Sequence, residues 1–374
     1  MTMEDADEHT AGISLTEACN MACEHCYIGR KIFWRKTHYG VKSISFDQFK
    51  QLLPQLIEAH VTRVNLGGGE PPLHPHFIDI VHMLYDAGIK VALVTNGSKM
   101  KILRGHLRLF NDIGVSIDYP DDRHSDNRRR AGAFAEAVAA LEELVSSGEV
   151  KTEMVTCIMH QNYRDLPQLY VLAKSLNVDM WRLNRFHPTK NDLTRFSADV
   201  TGLDEVMDVS YLACTPEEMR EAFLFLASVT NASRQYTVSD PVFRTLIVGK
   251  GVVPGTPYGK LSFRIKSDGG VVSNIFTDAV KGNVFHMRLK DILALPSPAY
   301  APGGKCKACC NVAHCGGGDD TDRYLFSSSH DPYCFLDPSE RKQVSFVPLH
   351  ETQFVHESYL STIYVPIAFE VRTC

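Results

Sequence analysis

Several things are scarce in this 374-residue sequence, and each scarcity excludes something. No apolar run reaches the roughly eighteen residues of a membrane-spanning helix, and Pro366 interrupts the best candidate, Tyr359 to Val371. The N-terminus carries Glu4, Asp5, Asp7 and Glu8 and lacks the apolar core of a secretory signal. Positive charge is not in excess: the net charge of −5 argues against a polyanionic partner such as nucleic acid. Dense basic charge is confined to Arg128, Arg129 and Arg130, which read as a solvated loop. Together these absences predict a soluble, cytoplasmic protein that engages neither membrane nor nucleic acid. The 44% of hydrophobic residues is enough for a large core, and the length suits a barrel with one smaller unit.

Cysteine is not scarce. Eleven are present, clustered towards the two ends with short spacings, which reads as metal ligation in a reducing compartment rather than as disulfides. Cys19, Cys23 and Cys26 fall in one loop, spaced by three and then two residues. Iron–sulfur clusters are normally held by four thiolates, so a three-cysteine loop can hold three irons of a cubane and leave the fourth open. A zinc loop or a set of buried thiols is the alternative. Zinc would want a fourth Cys or His nearby, and His25 lies between the ligands.

The cysteine loop ends in the aromatic Tyr27 and is followed by Gly67-Gly68-Gly69-Glu70-Pro71. This combination resembles the radical S-adenosylmethionine (radical SAM) superfamily. The resemblance implies that Cys19, Cys23 and Cys26 bind a [4Fe–4S] cluster whose open iron takes the amino and carboxylate groups of S-adenosylmethionine. It further implies reductive cleavage to a 5′-deoxyadenosyl radical, with electrons from a donor such as a flavodoxin or ferredoxin. Tyr27 would lie under the adenine, and Gly68, Gly69 and Glu70 would meet the amino group. Ser116 or Asp118 would approach the ribose, and Asn162 the adenosine or carboxylate. Arg182 and Asn184, on the sixth strand, would reach into the barrel mouth.

From residue 11 to about 185, short apolar strands alternate with amphipathic helices. Strands are expected at Ile13 to Thr16, Val61 to Leu66, Lys90 to Thr95, Val115 to Asp118, Glu153 to Ile158 and Met180 to Asn184. Phe134, Val138, Leu141 and Val145 recur at helical spacing ahead of Gly148. Six strand–helix units predict a parallel sheet with right-handed crossovers, and the resemblance turns it into a partial (βα)6 barrel within an α/β fold. Active sites of parallel barrels sit at the C-terminal strand ends, where the cysteine loop and the glycine motif fall. The barrel is placed at 11–235, with the aperiodic stretch 186–214 as a candidate substrate lid. Thr215-Pro216-Glu217-Glu218 then restarts a helix through a capping box.

Leu261 to Ile265 and Val271-Val272, flanking Asp268-Gly269-Gly270, read as a β-hairpin. Cys306, Cys309, Cys315 and Cys334 follow, with a spacing that resembles the SPASM or twitch type of auxiliary-cluster domain, here 258–338. Asn274, Met287 and Asp319 stand near places where a full SPASM domain needs cysteines for its first cluster. The resemblance therefore implies one auxiliary [4Fe–4S] cluster on those four thiolates. A zinc ion on the same four thiolates is the alternative, and Cys310 is a spare thiol or a substitute ligand. The tail 339–374 suggests one or two packing strands.

The expected reaction is hydrogen abstraction from a C–H of a small polar substrate, such as a sugar or aminocyclitol, in natural-product biosynthesis. The outcome would be epimerisation or dehydrogenation, and the short segment ahead of the first strand favours this reading. The alternative is a maturase that crosslinks or epimerises a ribosomal peptide. An epimerase needs a hydrogen donor on the opposite face, for which Cys214 and then Cys157 are the candidates. His187, His160 and Asp192 are candidate proton acceptors.

Overall fold

The computed structural model describes residues 9–28, 41–187, 210–229, 240–246, 262–273, 276, 279–296, 303–319, 322–323, 328–339 and 362–367. Six strands run parallel in sequence order: β1 (His9–Thr16), β2 (Val61–Gly68), β3 (Lys90–Thr95), β4 (Asp112–Ser116), β5 (Lys151–Ile158) and β6 (Met180–Arg185). Each pairs with the next, from β1 on β2 to β5 on β6. This is the expected half-barrel order, and the strand starts and ends lie within a few residues of those read from periodicity.

The helices between the strands are built by their own caps and apolar stripes. Helix α1 (Phe46–Glu58) starts at Ser45, whose hydroxyl accepts from the Gln48 backbone while the Gln48 side chain returns to the Ser45 N–H. It buries Phe49, Leu52 and Leu56, one face at helical spacing. Helix α2 (Phe77–Asp86) buries Phe77, Ile80, Val81 and Leu84 in the same way. Helix α3 (Ala133–Ser147) stops at Gly148, which takes a left-handed φ of 62°. Its buried stripe is Ala133, Ala137, Ala140, Leu141 and Leu144; Phe134, Val138 and Val145 flank this line and are half-covered. The small alanines bring the helix axis close to the sheet. Helix α4 (Leu166–Ser175) follows β5, and α5 (Pro216–Val229) begins at the expected capping box, with Thr215 N–H on Glu218 at 2.9 Å.

The hairpin foreseen at 261–272 forms as β7 (Ser262–Ile265) and β8 (Gly270–Val272), turning at Gly269 with φ +83°. It extends the barrel sheet rather than standing apart, because β7 lies parallel against the free edge of β1. Strand β9 (Val280–Asn283) follows on β8, and β10 (Thr362–Pro366) pairs antiparallel with β6. The ten-stranded sheet thus reads β10-β6-β5-β4-β3-β2-β1-β7-β8-β9. Strand β10 supplies one of the packing strands expected in the tail. Most of the candidate lid, 188–209, and Asp192 with it, lies outside the described residues. Among the described residues no helix is long and apolar enough to cross a membrane.

Candidate active site

At the C-terminal ends of the parallel strands lies a cavity of about 340 Å³, walled by Cys19, Cys23, Cys26 and Tyr27 from one loop and Gly67 to Glu70 from the next. Backbone contacts lock the two loops together. Gly69 N–H donates to Thr16 O and Glu70 N–H to Ala18 O, both at 2.7 Å. A Cβ on Gly69 would sit 2.2 Å from Ala18 O, and Gly68 has a φ of +112°. Both glycines are therefore required for the cysteine loop to approach β2, whatever else they touch.

Glu70 is 1% exposed and lines the cavity. Thr95 Oγ1 donates to one carboxylate oxygen and Asn96 N–H to the other at 2.9 Å. Burial pushes its pKa up to about 7, although both hydrogen bonds pull it down. The acid is thereby fixed in orientation in the cavity wall.

Arg128 is not the solvated residue that its basic run suggested. It is buried, its Nη1 donates to Cys23 Sγ at 3.4 Å, and its Nη2 meets Asp118 Oδ2 at 2.5 Å. The short helix Arg123–Arg128 and the left-handed Arg129 turn it inward. Sequence reasoning missed it, because a triple-arginine run carries no local sign of which member is buried.

Asp118 and Asn162 are placed differently from their expected roles. Asp118 lies two residues past β4 and is not part of the cavity wall. Its oxygens accept from Arg128 and from the Cys157 N–H, and His25 Nε2 is 3.6 Å away. Burial pushes its pKa up, but Arg128, His25 and His124 outweigh that and hold it at about 2. Asn162 is fully buried and clamps a loop: its Nδ2 donates to Asp118 O and Cys157 O, and its Oδ1 accepts from Met159 N–H. Ser116, Arg182 and Asn184 do line the cavity, with Arg182 3.3 Å from Glu153.

The two candidate hydrogen donors are placed differently with respect to the cavity. Cys157 lines the cavity, whereas Cys214 is packed in the core and is absent from the wall. Burial pushes the Cys157 thiol well above its ordinary pKa, with the Asp118 charge adding to it, and burial brings Cys214 to about 12. Both remain S–H at neutral pH, the form from which a hydrogen atom is given. His160 is drawn away to Glu218 at 2.9 Å, while His187 is buried on the cavity wall.

Cys306, Cys309, Cys315 and Cys334 line a second, small cavity with Val312 and Leu336. Lys305 Nζ closes it by donating to Cys334 O at 2.7 Å. Cys310 does not line it; its N–H donates to Pro338 O. Among the described residues the three-ligand group that closes to within 4.8 Å is His187, Asp319 and Asp322, not a set of thiols. The donors at both places are of the kind an iron–sulfur cluster takes: three thiols with a carboxylate in the wall of the larger cavity, and four thiols at the smaller one.

Comparison with known proteins agrees with this geometry. The model of the radical SAM superfamily matches residues 13–173. The mycofactocin maturase MftC of Mycobacterium tuberculosis is 26% identical over 351 residues, covering 87% of this chain and 82% of that protein. Among solved structures, SuiB of Streptococcus suis bound to S-adenosylmethionine superposes with a TM-score of 0.63 at 14% identity, over 88% of this chain and 77% of SuiB. Native anSMEcpe with bound AdoMet gives 0.64 at 18% identity, over 87% and 93%. The cysteine loop, the glycine motif, the half-barrel and the family model converge on a radical SAM domain at residues 13–173.

Proposed function

We propose that this chain is a maturase of a ribosomally made peptide, acting on a C–H bond of that peptide to install a crosslink or invert a centre. The observation that carries the reading is the similarity to a mycofactocin maturase along 87% of the chain. The fold adds support, since SuiB has also been solved with its precursor peptide SuiA. The sugar or aminocyclitol substrate favoured by the sequence alone gives way to this alternative.

Within the cavity, Cys19, Cys23 and Cys26 would hold the open-iron cluster and Cys306, Cys309, Cys315 and Cys334 the auxiliary one. When bound, the first supplies the electron that cleaves S-adenosylmethionine and so starts the radical chemistry. The protein's part is orientation. Glu70 takes the ammonium of S-adenosylmethionine, Tyr27 lies along the cavity wall, and Cys157 keeps a half-buried S–H on the wall of the substrate space.

The test is to express the affinity-tagged chain together with the short open reading frames beside its gene and recover bound peptides anaerobically. A recovered peptide that loses two mass units, or gains deuterium from D2O, with S-adenosylmethionine and a reductant supports the reading. Product formation from sugars, with no peptide turned over, overturns it.

A further inference from the structure

The turn that follows β3 serves two neighbours at once. Its backbone is fixed from within: Gly97 N–H donates to Thr95 Oγ1 at 3.1 Å and Ser98 N–H to Asn96 Oδ1 at 3.0 Å. Gly97 takes a φ of +81°, and a Cβ there would come within 3.1 Å of Ala137 and Ala140, so the turn is seated on the alanine face of α3. From this seat Thr95 Oγ1 and Asn96 N–H reach the two carboxylate oxygens of Glu70. The direction of that carboxylate is therefore set by the turn as well as by the glycine motif that carries it.

The other side of the same turn meets the cysteine loop. Asn96 Nδ2 donates to Asn20 Oδ1 at 2.9 Å, Asn20 Nδ2 to Ser98 Oγ at 2.8 Å, and the Ser98 hydroxyl to Asn96 Oδ1 at 2.6 Å. The three side chains close a ring in which each donates to the next, an arrangement whose bonds polarise and strengthen one another. Asn96 is buried and lines the larger cavity, and Asn20 directly follows Cys19 in the chain. An ordinary strand-end turn accounts for Asn96 and Gly97, but not for a carboxamide brought in from 76 residues earlier. The ring joins the loop that carries three thiols to the turn that holds Glu70.

We propose that Asn20 is a positioning residue for S-adenosylmethionine: through Asn96 and Ser98 it fixes the separation and angle between the cysteine loop and the Glu70 carboxylate. The inference rests on the reading that Glu70 takes the amino group of that ligand and the cysteine loop the cluster. An amino group that must meet both anchors gains from both only when their spacing is held before it binds. Neither Asn20 nor Ser98 is on the cavity wall, so their effect passes through Asn96, which is. The proposal needs no particular substrate and stands apart from the peptide reading.

The test is a double-substitution cycle read as S-adenosylmethionine affinity. The full chain, with its clusters oxidised so that the ligand binds without being cleaved, is studied by anaerobic equilibrium dialysis. Asn20→Ala should raise the dissociation constant roughly tenfold with iron content retained. In a chain already carrying Glu70→Gln, the same change should weaken binding by less than about twofold, because Asn20 acts through the carboxylate that is gone. Ser98→Ala opens the ring from outside the cysteine loop; it should show the same dependence on Glu70, and it decides the matter if Asn20→Ala loses its iron. Losses that simply multiply in the two backgrounds overturn the proposal and leave the reading of Glu70 in place. So does an affinity that neither Asn20→Ala nor Ser98→Ala alters. Undiminished affinity in Glu70→Gln alone overturns the reading of Glu70 and this inference with it.

Discussion

Arg128 Nη1 lies 3.4 Å from the sulfur of Cys23, a residue 105 positions earlier in the chain. The same guanidinium holds Asp118, so one buried cation is shared between a thiol of the cysteine loop and a carboxylate. Hydrogen bonds to cluster sulfurs are among the protein's means of setting reduction potential. Arg128→Lys should shift the potential of the open-iron cluster downward, as read by redox titration. Arg128→Ala, which leaves Asp118 buried and unpaired, should also cost about 3–5 kcal/mol of stability by chemical denaturation. An unchanged potential in both variants would mean that the contact only positions the loop.

Glu70 gives a pH dependence with a definite sign. Its pKa is raised to about 7, so the ionised form that accepts an ammonium is present above that value and lost as pH falls through it. S-Adenosylmethionine affinity, measured by equilibrium dialysis, should drop roughly tenfold from pH 8 to pH 6. Glu70→Gln should bind more weakly by about 1.5–3 kcal/mol and should lose this dependence, with iron content intact.

Anaerobic reconstitution should give about eight irons and eight sulfides per chain, for two cubanes. Changing Cys306 and Cys315 together to Ala should leave about four irons and preserve S-adenosylmethionine cleavage. Metal analysis returning four irons and one zinc would remove the auxiliary cluster.

If the reaction inverts a centre, the thiol that returns hydrogen should be Cys157. In D2O the product should gain one deuterium in the wild type and in Cys214→Ala. Cys157→Ala should still form 5′-deoxyadenosine and release no epimer. Deuterium incorporation that persists without Cys157 would assign the donor elsewhere.

The parts of the molecule visible in the sequence are those set by local physics. Lys90–Thr95 is a strand with the bounds that its apolar run suggests, and the Thr215 box opens a helix where it should. Short spacings between cysteines also survive folding, because a loop of a few residues keeps its members together. What the sequence hid depends on distant partners. Arg128 sits in a run that looks solvated, and its burial is decided by Cys23 and Asp118. Asn162 has the composition of a ligand-binding loop residue, yet it satisfies three backbone groups of its own loop and its neighbour. Arg185 and the aspartates around it come from separate stretches of chain, so no window of sequence shows them as one cluster.

Strand β10 has a bearing on the order in which the molecule assembles. Its partner β6 lies 178 residues earlier at the Thr362–Asn184 contact, and the auxiliary cysteines fall inside the loop so closed. Pairings of such long sequence separation are slow to form. On a chain emerging from the ribosome, the edge of β6 therefore stays bare until long after the rest of the half-barrel has been made. An uncovered apolar edge invites aggregation. Pulse-labelled hydrogen exchange should find the amides of β6 that face β10 among the last to be protected, and loss of β10 should lower soluble yield more than it lowers the stability of protein already folded.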